Sequence, residues 1–291
     1  MLGLFKEAQR LNCELHPSAL RLVTQHLNII DANFQNSKKN NSIFLDILLG
    51  PVPDRALMRL NDAGVFGRFV TQFGDVIAQM QYDMYHVYTV DEHTIRAVGV
   101  LNQIENKNLI KDHPISCEVI REIHSRRVLY VAILLHDIAK GQLGDHSTLG
   151  AKIAFDLCPR FGLNNWETET VSWLVLNHLK MSRTAFKRDI HDPKTVADFA
   201  GFVQSPERLR LLLLLTVADI RAVGPNVWNS WKGSLLRDLY LRTQEVLSGD
   251  ILMDNSLRRL SKVKSTLASR LGECVDPWPS EKIDAHLNLG N

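Results

Sequence analysis

Val128-Leu129-Tyr130-Val131-Ala132-Ile133-Leu134-Leu135 runs straight into His136-Asp137-Ile138-Ala139-Lys140-Gly141, and this junction decides how the chain is read. The first eight residues are apolar enough to bury a helix on most of its sides. An imidazole and a carboxylate adjacent at the end of such a helix are costly unless something coordinates or pairs them. The spacing predicts a helix over 127–139, stopped by Gly141 and Gly144. Outward from it, Asp145 can cap a helix over 146–160 that Gly162 ends, and Asn165 starts another over 166–180. Asp192-Pro193 and Ser205-Pro206 place an N-cap before proline at the first helical position, opening helices near 193–203 and 206–222. Upstream, Thr89 with Glu92 reads as a capping box for a helix carrying Ile95, Val98, Leu101 and Ile104. A short helix over 115–125 and two more near 234–247 and 255–271 complete an all-α pattern with no repeat period.

Toward the N-terminus, Leu20, Val23, Leu27 and Ile30 keep helical spacing, and Asn33–Ser42 reads as a polar linker. Gly50-Pro51, Pro53-Asp54, Asn61-Asp62-Ala63-Gly64 and Gly74-Asp75 predict short helices joined by tight turns. Val76, Ile77, Met80, Tyr82, Tyr85, Val87, Tyr88 and Val90 are strand-leaning and predict one short β-hairpin.

Composition narrows the class. The chain has 291 residues, 45% of them hydrophobic and 23% charged, with a net charge of +2. That profile excludes a disordered chain and gives no strong field toward nucleic acid or an anionic membrane. Neither Val128–Leu135 nor Leu211–Leu215 approaches the roughly 18 apolar residues of a membrane span. Glu7, Glu14, His16 and Asp31 argue against a signal peptide at residues 1–30. Cys13, Cys117, Cys158 and Cys274 lie far apart, which speaks against a disulfide framework or thiolate zinc site and makes a reducing cytoplasm the default.

A His-Asp pair alone is weak evidence, and the chain contains its own control. His191-Asp192 sits in a polar loop, where the aspartate is explained as the cap before Pro193. His136-Asp137 differs in its company. His93 falls in the first turns of a capped helix, His146 at a helix start, and His178 at the end of an apolar helix. Asp219 lies in Leu215-Thr216-Val217-Ala218-Asp219-Ile220, where a carboxylate needs a partner. Singly, each histidine is better explained as a hydrogen-bonded residue. Together they favour a metal centre, because imidazole nitrogen mixed with carboxylate oxygen suits Mn²⁺, Fe²⁺ or Zn²⁺ and an aspartate can bridge two ions.

The order His93, His136-Asp137, His146, His178, Asp219 resembles the HD-domain metal-dependent phosphohydrolase superfamily. Tyr85-His86-Val87-Tyr88-Thr89-Val90-Asp91-Glu92-His93-Thr94, Asp145-His146-Ser147-Thr148-Leu149-Gly150-Ala151, Leu176-Asn177-His178-Leu179-Lys180-Met181-Ser182 and Ala218-Asp219-Ile220-Arg221-Ala222-Val223-Gly224-Pro225 are similar, more narrowly, to the central part of the bifunctional PII uridylyltransferase/uridylyl-removing enzyme family. The similarity runs from about residue 43 to 245. It implies a helical linker region over 1–88, an HD phosphohydrolase domain over 89–250 and a C-terminal helix and tail over 251–291. That family also carries a nucleotidyltransferase domain and tandem ACT domains. The expectation here is the HD segment alone, since Gly233-Ser234 is followed by Asp238 without a second carboxylate two residues on.

What the resemblance implies is phosphodiester hydrolysis that removes UMP from the uridylylated tyrosine of the PII signal protein. It implies two divalent ions drawn from Mn, Mg, Fe and Zn. His93, His136, Asp137 and Asp219 would hold one, and His146 and His178 the other, with Asp137 bridging and acting catalytically. Lys140 would meet a phosphate oxygen, a role that stays open beside that of a solvated lysine at a helix C-terminus. Arg96 divides in the same way, and the basic loop Lys180, Arg183, Lys187, Arg188 reads as solvated. Trp173 reads as core, and Trp228 and Trp231 as weak candidates for lining a pocket. An HD hydrolase of free nucleotides or cyclic dinucleotides, and a non-catalytic regulatory module, are the competing readings. The oligomeric state is left open.

Overall fold

Local capping chemistry explains much of the architecture seen in the computed structural model, which describes residues 1–80 and 87–249. Among the described residues every regular element is helical. The N-terminal part holds α1 (Leu2–Arg10), α2 (Pro17–Gln25), α3 (Ala32–Asn36), α4 (Lys38–Leu48), α5 (Pro53–Asp62), α6 (Val65–Phe69) and α7 (Thr71–Gly74). The polar run 33–42 is therefore not a linker. It forms parts of two helices, capped by Asp31 just before it, which accepts from the Phe34 N–H, and by Ser37 within it, which accepts from the Asn40 N–H. Asn41 is buried and donates to the carbonyls of Gln35 and Ser37. Polarity in that run reports helix ends as well as solvent.

The hairpin is not formed where the structure describes it. Residues 76–80 are turns, with the Val76 N–H bonded to Phe73 O and the Gln79 N–H to Val76 O. Val76 enters the core while Ile77 and Met80 stay exposed, so their β-leaning side chains serve a turn instead. Residues 81–86 of the proposed hairpin lie outside the described residues, as does the helix expected near 255–271.

The remaining helices are α8 (Val90–Glu105), α9 (Pro114–Val119), α10 (Arg126–Leu135), α11 (His146–Arg160), α12 (Asn165–Asn177), α13 (Lys180–Lys187), α14 (Pro193–Val203), α15 (Pro206–Val223) and α16 (Ser230–Leu247). Thr89 occupies the N-cap of α8, but its side chain makes no capping bond, so the box expected with Glu92 is not closed. A complete capping box forms instead at Asn164 and Glu167, at the start of α12. α9 is shorter than its spacing suggested. α10 stops at Leu135, so His136 to Lys140 lie in the turn that follows it.

α15 lies at the centre, packed against α8, α10, α12 and α16, while α11 and α12 pair side by side. One apolar core runs from Leu2 to Tyr240. Phe44 of α4 packs on Phe66 and Phe69 and also reaches Phe161, just past α11, at 5.5 Å between ring centroids. Arg160 donates to Phe69 O and Arg126 to Leu49 O, tying the first seven helices to the later ones.

Two glycines let α6 and α7 touch. A Cβ on Gly74 would stand 2.8 Å from the Gly67 carbonyl oxygen, and one on Gly67 would stand 2.9 Å from the Gly74 Cα. Backbone cannot yield as a flexible side chain can. Gly74→Ala is expected to cost about 1–3 kcal/mol, the range for overpacking, read from urea unfolding against the parent chain.

Candidate metal centre

α10 and α12 begin at one knot of polar groups and end at another. At the start, the buried Glu167 carboxylate accepts from the Asn164 N–H (3.0 Å), the Ser125 hydroxyl (3.0 Å) and the Arg127 guanidinium (2.7 Å). Ser125 caps α10 and Asn164 caps α12, so a single carboxylate aligns the two N-termini. Burial alone would raise the Glu167 pKa, but these donors outweigh it and hold the group below its usual range. At the other ends stand His136 with Asp137, and His178.

There the predicted side chains converge. His93 comes from the first turn of α8, His146 from the first residue of α11, and Asp219 from α15. His93, His136, Asp137 and His178 are each at most 2% exposed. His93 Nε2 lies 3.2 Å from His136 Nε2 and 3.2 Å from Asp219 Oδ1. Asp137 faces both ways: Oδ2 is 3.5 Å from His136 Nε2 and 3.8 Å from His93 Nε2, whereas Oδ1 is 3.8 Å from the Nε2 atoms of both His146 and His178. Two ligand groups result. His93, His136 and Asp219 offer atoms within 4.8 Å of one another, and so do Asp137, His146 and His178.

Backbone sets the imidazole tautomers. His136 Nδ1 lies 2.7 Å from Ile133 O, and His178 Nδ1 lies 2.7 Å from Val175 O. A carbonyl only accepts, so each Nδ1 carries the hydrogen and each Nε2 turns its lone pair inward. Burial works against protonating His136, but the carboxylates of Asp137 and Asp219 prevail and raise its pKa to about 9. Burial likewise opposes ionised Asp137 and Asp219, and the surrounding imidazoles hold both well below the usual carboxylate range. In His178 burial dominates over Asp137 and lowers the pKa. A buried, anionic cluster of inward lone pairs fits a divalent cation.

Lys140 Nζ donates to Asp137 Oδ2 at 2.8 Å, placing the ammonium at the edge of the cluster. Arg96 stacks on the Tyr88 ring, 3.9 Å from its centroid, and pairs loosely with Glu92. His191 stays out of the cluster. Its neighbour Asp192 caps α14 and its own ring meets Arg242. Trp173 is partly buried against the core, Trp231 is exposed beside Phe186, and Trp228 packs on His113. Glu167 was not among the expected site residues, although Asn164-x-x-Glu167 is a legible capping box.

The family model for the HD domain matches residues 90–222, and the model for the Uridylyltransferase GlnD third domain matches residues 1–69. The chain is 53% identical over 291 residues to the bifunctional uridylyltransferase/uridylyl-removing enzyme of Azospirillum brasilense, covering 100% of the chain and 31% of that enzyme. It is 58% identical over 248 residues to the enzyme of the same description from Novosphingobium aromaticivorans, covering 85% of the chain and 27% of that enzyme. The Rhodospirillum rubrum counterpart is 49% identical over 290 residues, covering 99% of the chain and 30% of that enzyme. The chain thus spans less than a third of the length of these relatives.

Proposed function

Since residues 90–222 of the chain belong to the HD-domain family, we propose that it performs the hydrolytic half of its relatives' chemistry, releasing UMP from a uridylylated tyrosine of a PII protein. The observation that carries this reading is Asp137, whose two oxygens face two separate histidine groups. In the proposed arrangement His93, His136 and Asp219 would hold one divalent ion, and His146 and His178 a second, with Asp137 shared between them. Such ions supply Lewis acidity toward phosphoryl oxygens and make a water acidic enough to react near neutral pH.

The protein's own contribution is orientation and charge. The carbonyls of Ile133 and Val175 lock two imidazoles with Nε2 inward, so little reorganisation accompanies binding. Lys140, beside Asp137, is placed to meet a non-bridging phosphate oxygen as a point charge. Water oxygen bonds to phosphorus as the phosphorus–phenol oxygen bond breaks. A phenol, with pKa near 10, leaves without a strong general acid.

The test is incubation of metal-loaded protein with uridylylated PII and, separately, with free nucleotides and cyclic dinucleotides. UMP is expected from the protein substrate. Turnover of the small molecules alone defeats the substrate assignment. Chelation is expected to stop the reaction and added divalent metal to restore it. Asp219→Ala is expected to lose bound metal by elemental analysis, while His191→Ala retains it. Equal losses would show that the wrong histidine–aspartate set had been chosen.

A further inference from the structure

Behind α15, on the side away from the metal centre, lies a cavity of about 210 Å³. Leu213 and Val217, one turn apart, form its α15 wall. Asp219 is two residues beyond Val217, roughly 200° further round a helix that turns 100° per residue. The cavity is therefore separate from the ligand cluster, although one helix serves both. The opposite walls come from the segment entering α9 and from the first turns of α16.

Three features mark it as more than a packing defect. First, His113 lines it and is 4% exposed, packed against Trp228 at 4.5 Å between centroids, and its Nε2 is buried without a hydrogen-bonding partner. A buried polar atom left unmatched costs roughly 1–3 kcal/mol. Burial and the charge of Arg221 lower the His113 pKa to about 4, so the ring is neutral and offers one donor and one acceptor. Second, the ionic balance of the walls is positive. Asp112 is taken up by Arg221 at 2.9 Å, while Lys111 and Arg237 stand exposed at the rim, Arg237 lying 3.5 Å from Asp238 Oδ1 and donating to Ser234 Oγ at 3.4 Å. Third, Ser230 and Ser234 stand on the cavity wall in the first turns of α16, an 18-residue helix whose N-terminal end favours negative charge. The floor is apolar, from Leu213, Val217 and Leu236.

We propose that this cavity is a second ligand site, taking a small molecule that carries an oxoanion, carboxylate or phosphate-like, on an apolar body. The oxoanion lies toward Lys111, Arg237 and the α16 serines, and the apolar part lies against α15. The unmatched His113 supplies the directional hydrogen bond. The site goes beyond hydrolysis at the metal centre and stands whether or not the PII substrate assignment holds.

The experiment is an NMR titration of the metal-loaded chain with phenylphosphonate, which resists hydrolysis, and separately with phenylacetate. The reporters are the His113 Cε1–H and Trp228 indole N–H signals. Saturable shifts of both signals are expected in at least one arm, and the arm that saturates identifies the headgroup. The variant Lys111→Ala/Arg237→Ala, altered only at exposed side chains, should bind about tenfold more weakly or worse, a difference of about 1.4 kcal/mol or more. Its amide spectrum verifies the fold, and the two single variants give the same reading if the double one unfolds. The proposal is overturned if neither compound moves these signals at about 10 mM, above the Kd of a weak millimolar site. It is equally overturned by shifts that persist unchanged in the double variant, or by shifts confined to His146 and His178.

Discussion

Asp137→Asn should remove nearly all of the proposed UMP release, by about 10³-fold, or about 4 kcal/mol of transition-state stabilisation at 1.36 kcal/mol per decade. The exchange keeps the shape of the side chain and deletes its charge. Asp137 is the residue both histidine groups share, with one oxygen 3.5 Å from His136 Nε2 and the other 3.8 Å from His146 and His178. Its loss therefore weakens both proposed ion positions, whereas His146→Ala touches only one. Elemental analysis should show both metals reduced in Asp137→Asn, and retention of one in His146→Ala. The fold should survive, because His136 keeps Asp219 as a charge partner at 3.6 Å. Full turnover by a well-folded Asp137→Asn chain would remove the basis of the assignment.

Glu167→Ala should destabilise the fold by about 2–4 kcal/mol, from the hydrogen bonds to a charged group that it removes. It leaves the Asn164 N–H and the Ser125 hydroxyl without their acceptor in a partly buried setting. Hydrogen bonds to a charged group contribute about 1.5–3 kcal/mol each. The Arg127 side chain is 43% exposed and can return to water, so the larger penalty for a stranded buried charge does not apply in full. Urea unfolding measures the loss.

The pH dependence has a definite sign. The folded pKa of Glu167 lies below its ordinary value of 4.5. A depressed carboxylate stabilises the fold fully above the unfolded value and loses that contribution as pH falls through the folded one. The stability gap between parent and Glu167→Gln should thus be constant above about pH 4.5 and shrink on acidification, followed by urea midpoints at a series of pH values. A gap that widens toward acid would contradict the role assigned to this carboxylate.

Reading the chain as a string was most secure where burial made polarity expensive. His136-Asp137 after eight apolar residues, His178 after an apolar helix and Asp219 within one were each conspicuous for that reason, and the structure gathers them with His93 and His146. Polar runs were harder. Asn33–Ser42 has the composition of a linker, yet Ser37 caps α4 and Asn40 and Asn41 donate to carbonyls of α3, just after the cap at Asp31. Thr89 and Glu92 have the spacing of a capping box that is not closed, whereas the box at Asn164 joins two helices through Glu167.

Helical content, the starts of several helices from α8 onward and the candidate ligands' conspicuousness follow from the order of residues alone, because periodicity, capping and desolvation are local costs. Packing decided the rest. Only the crossing of α8, α10, α11, α12 and α15 divides six ligand candidates into two groups, directs the oxygens of Asp137 toward both and leaves a cavity behind Asp219. Those outcomes depend on distances between residues far apart along the chain, which nearest-neighbour chemistry does not specify.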